Sequence, residues 1–95
     1  MKTRSSKDLA KVLTKKGFVL KGGKSHHAMY YLHVDGCKTT IKTYLSHSPK
    51  DYGKGLMGKV RKQLCFRNSA DADNFFDCPM SSEDYVELLK KQNDL

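Results

Sequence analysis

The chain has 95 residues, of which 38% are hydrophobic and 29% charged, enough for one compact domain around one small core and too few for two ordinary ones. Lysine and arginine total 18 against 10 acids, a formal charge of +8, so phosphate polyanions or an acidic protein are the expected partners. No apolar run approaches the roughly 20 residues of a membrane span. The first residues lack the apolar stretch of a signal peptide, and three cysteines cannot all pair within one chain. A reduced, cytoplasmic protein is the expectation.

Ser5 or Ser6 can cap a first helix in which Leu9, Val12 and Leu13 fall at helical spacing and Asp8 favours the first turn. Lys15, Lys16 and Gly17 end it. Phe18-Val19-Leu20 is too short for a helix and rich in β-formers, so it reads as a strand broken by Gly22 and Gly23. A second strand runs from about His27 to Val34, turns at Asp35-Gly36 and returns from Cys37 to about Tyr44, because Asp-Gly is a strong two-residue hairpin signal. Continuous pairing from that turn sets Tyr30 against Ile41 and His27 against Tyr44.

Strand alternation then separates two faces. Ala28, Tyr30, Leu32, Val34, Cys37, Thr39, Ile41 and Thr43 form a mostly apolar face suited to covering by helices. His27, Met29, Tyr31, His33, Lys38, Thr40, Lys42 and Tyr44 form the other. Leu45 to Tyr52 reads as a loop, and Leu56, Val60 and Leu64 mark a second helix with Gln63 beside its stripe. Beyond an acidic stretch with one helical turn around Ala72 to Phe76, Ser81 and Asp84 announce a last helix striped by Tyr85, Leu88 and Leu89.

The segment Lys24-Ser25-His26-His27, entering a strand in so basic a chain, is a candidate RNA-cleaving site, since imidazole moves protons near neutral pH. With Ser6-Lys7-Asp8-Leu9, Lys16-Gly17-Phe18, Asp35-Gly36, Leu45-Ser46-His47 and Lys59-Val60-Arg61-Lys62-Gln63-Leu64 in this order, residues 5 to 66 resemble the HicA-type toxin family of mRNA interferases. The resemblance implies an α+β fold like a double-stranded-RNA-binding domain: helix, three-stranded antiparallel sheet, helix. Residues 1–66 would form that domain and 67–95 a C-terminal helical extension, packed on it or offering a partner surface. Lys24 stands where the family's motif has glycine, and the chain runs about thirty residues past the family's usual end.

The resemblance implies a metal-independent endoribonuclease with no cofactor. His27 would be the general base that deprotonates a 2′-hydroxyl, with Lys24, Lys38 or Lys42 meeting the phosphorane charge. His47, in the loop after the hairpin, is a second candidate, as the acid that protonates the leaving 5′-oxygen. For both, the alternative is a histidine bonded only to backbone or solvent. His26 is expected to be structural, His33 solvent-exposed near the turn, and Cys37 packed in the core. Ser25, like Lys24, is a candidate RNA contact beside the site. Tyr31 and Tyr44 are suited to stacking on unpaired bases or to cross-strand packing, and Lys59, Arg61 and Lys62 to tracking phosphates or to a solvated helix face. The partners implied are messenger RNA and a HicB-type antitoxin, acidic where it covers the basic face. A non-catalytic RNA-binding module of the same fold is the alternative reading.

Overall fold

The computed structural model describes residues 2–21, 27–46, 50–77 and 79–95, apart from the side chain of His27. Three helices begin where side chains satisfy their orphan amides. Ser5 accepts from the Asp8 amide to start α1 (Ser6–Lys15). Asn68 accepts from Asp71 to start α3 (Ser69–Phe76). Ser81 and Asp84 form a reciprocal capping box at α4 (Ser82–Lys91). By contrast, α2 (Lys54–Gln63) starts from Gly53 with no capping side chain and no acid in its first turn. Its interior glycines make it reliant on packing, which Met57 and Val60 supply by burial.

Strands β2 (Phe18–Leu20), β3 (His27–Val34) and β4 (Cys37–Ser46) make one antiparallel sheet in the order β2-β3-β4. Asp35 and Gly36 both take positive φ, 52° and 79°, the requirement of a two-residue hairpin turn that only small polar residues and glycine meet easily. The architecture is therefore α+β, with an antiparallel three-stranded sheet and four helices among the described residues.

The pairing differs from the continuous register expected from the turn. Val34 faces Cys37 and His33 faces Lys38, but beyond an irregularity Tyr31 faces Lys42, Tyr30 faces Thr43, and His27 faces Ser46. Leu32 thus spans three β4 residues. Thr39 holds this bulge, its hydroxyl donating to the Leu32 carbonyl at 2.8 Å and accepting from the Ile41 amide at 3.2 Å. Because the slip is two residues, each side chain keeps its face. Ala28, Tyr30, Leu32, Ile41 and Thr43 are buried, while Lys38, Thr40, Lys42 and Tyr44 are exposed.

Two further expectations fail beside the turn. Cys37, the first residue of β4 after the turn, is exposed rather than packed. His33 is half-buried, not open to solvent: its Nε2 is buried without a hydrogen-bond partner among the described residues, beside a cavity of about 270 Å³ whose far wall is α4. The stretch read as a loop also contains a strand. Asp51–Tyr52 (β5) pairs with Arg4–Ser5 (β1), a two-residue ladder too short to leave a pattern in the sequence.

The core joins Leu9 and Leu13 of α1, the inner sheet residues, Met57 and Val60 of α2, and Ala72, Phe75, Phe76, Tyr85 and Leu89 from residues 67–95. At its centre Tyr85 lies 4.8 Å from Phe75, 5.2 Å from Phe66 and 6.1 Å from Phe18, centroid to centroid, distances at which tilted rings attract beyond their buried area. On the other flank the buried Arg4 guanidinium bonds Asp73 and Asp77, each at 3.1 Å. Lys2 and Arg4 hold the Asp77 carboxyl below its ordinary range. No helix among the described residues is long and apolar enough to cross a membrane.

Candidate nucleic-acid interface

The sheet's outer face is where alternation sends the basic and aromatic residues of the hairpin. Tyr31 is its centre: the Lys38 ammonium lies 4.4 Å and the Lys42 ammonium 5.7 Å from its ring centroid. A tyrosine ring attracts cations to its face, so Tyr31 holds two lysines that alternation alone would leave free in solvent. The same ammonium groups occupy the ring surface a stacking base would need. Tyr31 therefore acts as a holder of cations, whereas Tyr44 is 37% exposed on the edge strand.

Position 27 begins β3 opposite Ser46. The Tyr31–Lys42 rung is four residues further along, roughly 13 Å at about 3.3 Å per residue, and the His33–Lys38 rung two residues beyond that. That separation exceeds the reach of one lysine side chain. Lys38 and Lys42 therefore stand away from position 27 along the strands. Lys24, Ser25, His26 and His47 lie outside the described residues, and so does the side chain of His27.

On α2 the three expected phosphate contacts divide. Lys59 and Lys62 are exposed. Arg61 is half-buried and donates from Nη1 to the Phe66 carbonyl at 2.9 Å, which fixes the turn after α2. Among the described residues, no group of three or more His, Cys, Asp or Glu side chains is placed to hold a metal ion.

Tertiary packing adds a cleft. Among the described residues strand β4 is an open edge of its sheet, and α2 lies beside it. Between them is a cavity of about 330 Å³ lined by Tyr44, Tyr52, Leu56, Lys59, Val60 and Gln63. Thr43 donates from Oγ1 to Gln63 Oε1 at 2.5 Å, which orients the amide. The Tyr52 hydroxyl accepts the Ser46 amide at 2.8 Å and so pins the end of β4. Sequence pattern made Gln63 only a neighbour of the α2 stripe. The spacing of Leu56, Lys59 and Gln63, at i, i+3 and i+7, is the signal that these three share a face.

Comparison with protein-family models, with curated proteins and with solved structures gave no match.

Proposed function

We propose that this chain is a metal-independent endoribonuclease of the HicA type, the toxin of a toxin–antitoxin pair that cleaves messenger RNA. The reading rests on the resemblance of residues 5 to 66, together with one observation: position 27 opens β3 in a sheet whose outer face carries Tyr31, Lys38, Lys42 and Tyr44. The element order α1-β2-β3-β4-α2, with an antiparallel sheet, is compatible with the double-stranded-RNA-binding-domain-like core that the family has.

In this mechanism His27 takes the proton of a 2′-hydroxyl, whose oxygen attacks the adjacent phosphorus. The bond to the 5′-oxygen breaks, and an acid, for which His47 is the candidate, protonates the leaving oxygen. The products carry a 2′,3′-cyclic phosphate and a 5′-hydroxyl. Lys24, next to the site in sequence, supplies positive charge for the phosphorane, while Lys38, Lys42, Lys59 and Lys62 engage flanking phosphates. A HicB-type antitoxin with an acidic contact surface would inhibit by covering the basic face.

The test is cleavage of single-stranded RNA by purified protein. Wild type is expected to release cyclic-phosphate ends, and His27→Ala to be slower by about 10²- to 10⁴-fold with unchanged circular dichroism. Equal cleavage by the two would reject His27 as the base. Tight RNA binding by wild type without any cleavage would make the chain a non-catalytic RNA-binding module.

A further inference from the structure

We propose that the cleft between β4 and α2 is a nucleobase subsite. It holds one unpaired base of the RNA beside the scissile phosphate and gives the enzyme its base preference; the proposal rests on the ribonuclease reading above. Four features of the cleft converge on a planar, polar-edged, phosphate-linked ligand.

The first is an aromatic surface. Tyr44 is 37% exposed and lines the cleft, whereas Tyr31 is covered by two ammonium groups. Bases of any identity stack on such a ring.

The second is backbone. The Met29 carbonyl accepts from the Lys21 amide at 2.9 Å on the β2 side. The Met29–Tyr44 rung is therefore one whose peptide groups point away from each other. Tyr44's own N–H and C=O point out along the open edge of β4, where a base edge can meet a donor and an acceptor together.

The third is an oriented amide. With Gln63 Oε1 accepting from Thr43, the Gln63 NH₂ group is left as donor on the cleft wall. A pyrimidine O2 or a purine N3 or N7 accepts such a bond, and the set of donors and acceptors differs between bases.

The fourth is charge and position. Lys59, one turn before Gln63 and exposed, supplies a cation for the phosphate attached to the base. Tyr44 lies two residues from Ser46, the partner of position 27. That is about 7 Å along the strand, so the bound base belongs to a nucleotide next to the cleaved bond. The net charge of +8 favours RNA over a neutral planar ligand.

The experiment measures binding separately from cleavage. In a His27→Ala background, fluorescein-labelled dodecamers of adenosine, uridine and cytidine are titrated at one salt concentration. Tyr44→Ala should weaken binding of the preferred homopolymer about tenfold or more, and Tyr44→Phe, which keeps the ring, by less than about twofold. Gln63→Glu keeps the acceptor for Thr43 but removes the NH₂ donor. It should change the affinity ratio among the three homopolymers, beyond a uniform loss. Unchanged binding by Tyr44→Ala, with an unchanged ratio in Gln63→Glu, overturns the subsite while leaving the ribonuclease reading intact. Absence of RNA binding by the parent protein overturns both.

Discussion

The ammonium of Lys16 is buried against Phe75: it donates to the Phe75 carbonyl, lies 4.8 Å from the centroid of the Phe75 ring, and donates also to the Met80 carbonyl. One lysine at the end of α1 thus satisfies carbonyls at and after the C-terminal end of α3. There a cation also meets the negative end of the helix dipole. Hydrogen bonds from a charged donor are the stronger kind, and this one ties the helical segment beyond residue 66 to the first helix.

Lys16→Met should therefore destabilise the protein by about 1–3 kcal/mol, the cost of leaving buried carbonyls unsatisfied while the side-chain stem still packs. Lys16→Ala should cost more, because it also opens a cavity. Urea unfolding followed by circular dichroism checks this as a lower midpoint at unchanged slope. Equal stability of Lys16→Met and wild type would contradict it.

Tyr85 carries a second prediction, with a pH dependence. Its hydroxyl donates to the Leu64 carbonyl at 2.7 Å, and burial pushes the phenol's pKa well above its ordinary value. Tyr85→Phe should cost about 0.5–1.5 kcal/mol at neutral pH. The unfolded chain ionises this tyrosine near pH 10, while the folded one keeps it neutral. The stability it contributes is thus complete below about pH 10 and lost as pH rises further. Tyr85→Phe removes that loss, so the stability gap between wild type and variant should narrow between about pH 9 and 11. A gap that stays constant over this interval would refute the account.

The outer sheet face yields a third. If Lys38 and Lys42 meet phosphates, replacing either with alanine should weaken binding similarly across RNA sequences. The slope of log affinity against log salt should fall by about 0.7 for each phosphate of single-stranded RNA that is no longer neutralised. Tyr31→Leu removes the ring that holds both ammonium groups and should reduce affinity less than the Lys38→Ala/Lys42→Ala double variant does. An unchanged salt slope in that double variant would take these lysines out of the interface.

Local chemistry was legible in the chain. A serine cap before α1, the Ser81–Asp84 cap, the Asp35-Gly36 turn and the alternation over Ala28 to Leu32 and Thr40 to Tyr44 each depend on residues a few positions apart, and each is present in the fold. The start of β3 at His27 belongs to this class. The two-residue slip at Thr39 was not legible, because alternation is blind to a shift that preserves parity.

Long-range placement was decided only by the tertiary structure. Lys16 reads from the sequence only as part of a helix end, yet α3 arrives to bury it. Tyr31 and Tyr44 look equivalent along their strands. Lysine side chains cover one, and an open edge facing α2 leaves the other at the mouth of a cleft. Sequence determined which side chains share a face, since that follows from backbone geometry within a single element. Which face meets which depends on packing between elements far apart in the chain, and no local periodicity carries that information.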